Sequence, residues 1–194
     1  MPRSAWLTLT SVALITLTAC SGTSSQPTAT AQYTPPPAPS APPPPEPAPP
    51  SSPDQQFVDQ AAAGGMAEVE LGRMAREKAA NRGVKAFGAR MVADHTRVNN
   101  RLMAVAKRAN MTPSPAPDPQ QQSMRDQLAS ASGPDFDKQY IDGQVSMHQQ
   151  TIQLFEGEVQ GGQDPRLRRL ARETLPTLRA HLRQAEAIAK RMGG

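Results

Sequence analysis

The sequence predicts an all-α protein, a four-helix bundle whose second and third helices are joined by a long connection carrying a short extra helix. Three observations predict it. Apolar residues recur in steps of three and four along four stretches between residues 54 and 192. The breaks between these stretches are rich in Gly, Asn and Pro, two of them tight and one long. Most of the 21 prolines in the 194 residues lie before residue 54, so composition divides the chain into a Pro-rich leader region and a foldable remainder.

Residues 1–19 read as a lipoprotein signal peptide. Arg3 supplies the positive start and Trp6 to Thr18 an apolar run too short to span a bilayer. It ends in Leu17-Thr18-Ala19-Cys20, a pattern that resembles the bacterial lipoprotein cleavage site and makes Cys20 the residue to carry lipid. Ser21 follows it, which in a Gram-negative cell resembles sorting to the outer membrane and predicts a lipoprotein facing the periplasm. An ordinary secretory signal with a chance cysteine is the other reading. Residues 20–53, rich in Pro and Ala, predict a disordered tether of polyproline type, at most roughly 100 Å long. The membrane is thus a partner through the anchor, and no protein partner is legible. A net charge of +4, without a dense basic cluster interleaved with aromatics, argues against nucleic acid. An aromatic content of 4% points to a core of Ala, Leu, Val and Met, and the single cysteine excludes an internal disulfide.

The foldable domain covers 54–194. Ser52-Pro53-Asp54 starts the first helix, predicted over 54–80 with a seam of Phe57, Ala61, Gly64, Glu68, Leu71, Ala75 and Lys78. Gly64-Gly65 weakens this helix and predicts a close approach by another. Asn81 to Gly83 forms a tight link. The second helix runs to about 109 on Val84, Gly88, Met91, His95, Val98, Leu102 and Val105. Met111 to Gly133 predicts a crossover along the bundle or a lid over its end, with a short amphipathic piece from Gln120 to Ala131. The third long helix, 134–160, has Ile141, Val145, His148, Ile152, Phe155 and Val159 on its seam. The fourth, capped by Asp164, has Leu167, Ala171, Thr174, Leu178, His181, Ala185, Ile188 and Met192, with a kink predicted at Pro176.

All three histidines therefore fall on seams, where an apolar side chain would pack better, and Glu68 falls on the remaining one. Counting from the turns sets Glu68 level with His95. His148 and His181 differ by about one helical turn, roughly 6 Å. Three imidazoles and one carboxylate match a single transition-metal ion, Zn, Cu or Fe, held by Glu68, His95, His148 and His181. Asp94 and Glu70 are offset around their helices and fit no more than a place behind a ligand. Two other readings stand beside the metal. One is a buried polar layer that fixes helix register in a structural or stress-response envelope protein. The other is an enzyme using a core histidine as general base, which lacks a nucleophile. Met66, Met74, Met91, Met103, Met111, Met124 and Met147 read as core filler, with copper binding as the alternative reading. The arginines of the fourth helix read as a solvated face, with anionic lipid heads as the alternative contact.

The stretches GGMAEVELG (64–72), VKAFGARMVADH (84–95), FDKQYI (136–141) followed by His148, and TLPTLRAHL (174–182) resemble a widespread bacterial family. It comprises exported, ferritin-like four-helix bundles of uncharacterised function, often labelled outer-membrane proteins. The resemblance covers about 54–190 and implies the ferritin-like fold. Met147 precedes His148 where the family implies an acidic residue, so the resemblance supplies no carboxylate partner there. A ferritin-like fold invites a di-iron centre, but such centres need a Glu-x-x-His pair on each of two helices. Val92, Val145 and Leu178 stand three residues before the histidines. A di-iron oxidase or ferroxidase is therefore disfavoured, and the chain reads as a non-enzymatic envelope protein.

Overall fold

Ser52 caps the first helix of the computed structural model, its hydroxyl accepting from the Gln55 N–H, and Pro53 takes the first helical position. The structure describes residues 52–114, 116 and 118–193. The signal peptide, Cys20 and the tether as far as residue 51 lie outside the described residues. Five helices follow in order: α1 (Pro53–Lys78), α2 (Arg82–Arg108), α3 (Pro119–Ser130), α4 (Gly133–Gly161) and α5 (Pro165–Met192). Four are long and form the bundle; α3 is the short helix of the connection. Among the described residues no helix is long and apolar enough to cross a membrane.

Side-chain caps set the boundaries. Asn81 accepts from the N–H groups of Gly83 and Val84, Asp118 from Gln120 and Gln121, and Asp164 from Arg166 and Leu167. Helix α2 ends on Asn110 in the left-handed region, with the Met111 N–H reaching back to the Ala106 carbonyl. Gly133, at φ +58°, makes the turn into α4.

Helices α1 and α2 form one antiparallel hairpin and α4 and α5 another, with α1 beside α4 and α2 beside α5. The α2–α3 connection starts beside the head of α1, where Gln55 donates to the Thr112 carbonyl. It ends beside the tail of α1, where the Asp137 carboxylate accepts from the N–H groups of Ala80 and Asn81. The connection therefore crosses the length of the bundle rather than covering one end, and α4 runs antiparallel to α1. Lys78 binds the α3 carbonyls of Leu128 and Ala129 and lies over the Phe136 ring, so a residue expected on the core seam serves as a fastening for α3 instead.

The core forms two apolar clusters. One surrounds Phe57, Leu102, Phe155 and Leu167; the other surrounds Leu71, Phe87, Phe136 and Ile188. All four phenylalanines of the chain are buried, so the few aromatics sit at the centre of a core predicted to be aliphatic. Met66 and Met103 are 52% and 50% exposed, so they are not core filler. The close helix approach falls at Gly72 and Gly88, where a Cβ on Gly88 would lie 2.7 Å from the Ala75 Cβ and 2.8 Å from the Gly72 carbonyl. At the predicted pair, Gly64 is half-buried and Gly65 is buried against the Asn99 side chain of α2, so the approach there is by a side chain rather than by backbone. Helix α5 continues through Pro176, whose missing N–H falls on an exposed face.

Candidate metal centre

Between the two apolar clusters lies a polar layer made of Glu68 from α1, His95 from α2, Gln144 and His148 from α4, and His181 from α5. All five are buried. The levels agree once each hairpin is counted from the cap that closes its turn. Thirteen residues separate Glu68 from Asn81 and fourteen separate Asn81 from His95. Sixteen separate His148 from Asp164 and seventeen separate Asp164 from His181. The one-turn mismatch disappears because the extended residues 162–164 supply, on the α4 side, the height that the longer helical stretch from Pro165 to His181 supplies on the α5 side.

The three imidazoles meet. Their ring centroids are 5.7 Å apart for His95 and His148, 5.5 Å for His95 and His181, and 5.4 Å for His148 and His181. One ring nitrogen from each lies within 4.8 Å of the other two. Phe87 packs against His148 and His181 from the apolar side, at centroid distances of 6.4 and 6.5 Å.

Hydrogen bonds assign the ring hydrogens. His148 Nδ1 lies 2.9 Å from the backbone carbonyl of Gln144, which can only accept, so Nδ1 carries the hydrogen. His181 Nε2 lies 2.9 Å from Asp94 Oδ2. Burial pushes the Asp94 carboxyl up, but hydrogen bonds from His181, Arg97 and Arg90 outweigh it and hold it below the usual range. It is therefore a charged acceptor, and Nε2 carries the His181 hydrogen. When both rings are in their neutral forms, His148 Nε2 and His181 Nδ1 are two bare lone pairs facing each other at 3.4 Å. No hydrogen bond joins two lone pairs, and a cation between them satisfies both. His95 Nε2 is buried with no partner at all. Burial also pushes His95 and His181 down to about 4, the nearby carboxylates Glu68 and Asp94 only partly opposing it. Both rings are thus neutral at neutral pH, the form that binds metal.

Glu68 stands at the edge of this group. Its Oε2 accepts from Gln144 Nε2 at 2.8 Å, and its Oε1 lies 3.5 Å from His148 Nδ1, the nitrogen turned away from the other rings. Three of the four predicted ligands therefore converge on one point, and the carboxylate lies behind one of them. Asp94 does stand behind a ring, as its offset predicted. Glu70 is exposed on the far side of α1, 3.9 Å from Arg125. The carboxylate partner that Met147 failed to supply for His148 comes from another helix. Gln144 escaped the sequence reading, although it lies one turn before His148 on the buried stripe with Tyr140. Asn99, with a buried Oδ1 lacking a partner, escaped it as well.

The donor set fits a single ion. Nitrogen ligands at 2.0–2.1 Å around a tetrahedral centre lie about 3.3–3.4 Å from each other, the spacing of His148 and His181. Asp94 fixes the orientation of the His181 ring and the Gln144 carbonyl that of the His148 ring.

The family described as Domain of unknown function (DUF4142) matches residues 39–188. No curated protein matches the chain. Among solved structures, a DUF305 fragment from Deinococcus radiodurans shares 17% identity at a TM-score of 0.66, covering 73% of this chain and 97% of its own. A DUF305 protein from Streptomyces coelicolor, described as a candidate secreted protein, shares 14% at 0.64, covering 74% and 95%. CopM in its Cu(II)-bound form shares 19% at 0.62, covering 71% and 96%. At these identities the likeness establishes the helical-bundle fold.

Proposed function

Because the chain belongs to the DUF4142 family, whose function is open, we propose from the site itself that it is an exported envelope protein binding one transition-metal ion through His95, His148 and His181. The observation that carries this reading is the pair of lone pairs, His148 Nε2 and His181 Nδ1, 3.4 Å apart beside the partnerless Nε2 of His95. A purely structural polar layer leaves these three nitrogens facing one another with nothing between them.

Neutral imidazoles suit Cu and Zn, and of the first-row divalent ions Cu²⁺ binds such a set most tightly. CopM, a neighbour in fold, has structures in Cu(I)-, Cu(II)- and Ag-bound forms, which supports copper as the first ion to try. Three neutral ligands leave the full charge of the ion in a dry interior, and Glu68 and Asp94 offset it from either side. In this reading Glu68 balances charge and holds Gln144 rather than acting as a fourth ligand. In this reading the role is binding rather than turnover, which the metal-bound forms of CopM support.

The leader supports placement in the envelope. Cys20 after Leu17-Thr18-Ala19 takes lipid, Ser21 directs a Gram-negative lipoprotein to the outer membrane, and the Pro-rich segment up to residue 53 holds the bundle away from the bilayer. The experiment is elemental analysis of the protein purified without an affinity tag, followed by titration of the metal-free form with Cu²⁺ and Zn²⁺. One ion per chain, lost in both His95→Ala and His181→Ala, is the expected result. No bound ion, and no thermal shift with either metal, discards the reading.

A further inference from the structure

Glu68 and His95 do not end in solid packing. Both line a cavity of about 550 Å³ between α1, α2, α4 and the start of the α2–α3 connection. Its lining runs from exposed Gln60, Ser114 and Gln150 at the surface to the buried Glu68 and His95 in the polar layer. Three of the lining residues hold a buried polar atom with no hydrogen-bond partner: Glu68 Oε1, His95 Nε2 and Asn99 Oδ1. Each such atom is costly to bury unless something else in the cavity satisfies it. The carboxylate and the amide oxygen can only accept, so what satisfies them brings hydrogens or positive charge.

The charge of the walls agrees. Asp59, Glu68 and Asp118 line the cavity, and among the described residues no Lys or Arg does. The chain as a whole has 21 Lys and Arg against 17 Asp and Glu, so this acidic lining runs against its composition. Gly65 explains how Asn99 reaches inward: a Cβ at position 65 would overlap the Asn99 side-chain amide. The glycine on α1 therefore leaves the space that the Asn99 oxygen fills.

We propose that this cavity is the loading route of the histidine centre. A hydrated transition-metal cation is drawn in past Ser114 and Gln121. It is held through its water ligands by Glu68 Oε1 and Asn99 Oδ1, and it exchanges that water for His95 Nε2 as it moves into the triad. A low-dielectric channel lined by one sign of charge concentrates the opposite ion and raises its arrival rate by about 10- to 1,000-fold. Glu68 thus serves the ion twice, drawing it in along the cavity and then offsetting its charge in the triad. The proposal rests on the metal-binding reading above and adds the path and the two residues that serve it.

The test mixes the metal-free full-length protein rapidly with Cu²⁺ or Zn²⁺ alone, reading loading rate and equilibrium affinity separately at low and high salt. Glu68→Gln keeps the shape and the contact to Gln144 while removing the charge. It is expected to load at least about tenfold more slowly at low salt with a weaker salt dependence, and to bind more weakly as well, because the same charge offsets the bound ion. Gly64→Phe fills the mouth, where a Cβ meets only Gln121 at 3.6 Å. It is expected to slow loading and release together and leave affinity unchanged, which no loss of a ligand can do. If Gly64→Phe fails to fold, Asn99→Leu supplies the same comparison through a slower loading rate. Wild-type loading rates in Glu68→Gln and in the filled variant overturn the route while the metal site stands. A wild-type protein that takes up no metal overturns both.

Discussion

Asp94 decides which nitrogen His181 presents to the other rings. Its carboxylate, gripped by Arg90 and Arg97, accepts the Nε2 hydrogen and leaves Nδ1 bare toward His148. Asp94→Asn keeps the shape but offers an amide that can donate to Nε2, so the hydrogen is free to move to the Nδ1 face. Metal affinity should fall about 10- to 100-fold, as for other partners standing behind a ligand, while the stability of the metal-free protein changes by less than about 1 kcal/mol. Competition with a chelator measures the first and urea unfolding the second.

Protons should act on the metal-free protein through the same rings. His95 and His181 titrate at about 4 when folded and near 6.5 when unfolded. As pH falls, the unfolded chain takes up protons first, so the stability these residues contribute is whole above 6.5 and is lost between 6.5 and about 4. Glu158 works the other way. Burial, then the charges of Asp54 and Asp164, raise it from 4.5 to about 7, so the folded state gains stability as pH falls from 7 toward 4.5. Glu158→Gln should therefore raise stability at pH 8 by about 1 kcal/mol or more. It should also steepen the loss below pH 6.5, both seen in denaturation curves recorded in chelator.

Helix packing sets the next scale. Helices α1 and α2 touch backbone to backbone at Gly72 and Gly88, and Gly88→Ala has nowhere to put its methyl group. It should cost about 1–3 kcal/mol through overpacking. Gly157→Ala, on the exposed face of α4 with nothing within 4 Å of the new Cβ, should add about 0.5–1 kcal/mol. Thermal melts of the two variants should move in opposite directions. The contrast also shows what periodicity could reveal. The α5 seam was legible because its buried residues are almost all apolar, and every predicted position but Met192 is buried. On α4 the reading drifted: Val145, Ile152 and Val159 are only half-buried, while Tyr140, Gln144 and Glu158 are inside. A glutamine reads as polar until its partner is known, and that partner, Glu68, lies 76 residues away on another helix. The histidines were found because few residues are so out of place on an apolar stripe. The pairing of their ring nitrogens depends on cross-helix hydrogen bonds that leave no mark on spacing.

At the scale of the molecule, the two hairpins fasten each other. Asp54, near the head of α1, accepts from the N–H groups of Gln163 and Asp164 in the turn of the other hairpin. Asp137, near the head of α4, does the same for Ala80 and Asn81. Each carboxylate is buried and satisfied by two backbone donors, so neither turn closes fully without the opposite hairpin. The polar layer adds to this dependence, because Glu68 and His95 come from one hairpin and Gln144, His148 and His181 from the other. Continuity of the chain through the connection then matters less than these mutual grips. Two polypeptides made separately, 52–112 and 118–194, should find one another and reconstitute a helical one-to-one heterodimer, each remaining largely unstructured by itself. Circular dichroism of the mixture against the sum of its parts reads this directly, and halves that ignore each other would show that the linking strand, not the clasp, holds the molecule shut. Such a split protein would also turn the ion into an adhesive, since the three rings that hold it would then belong to two different molecules.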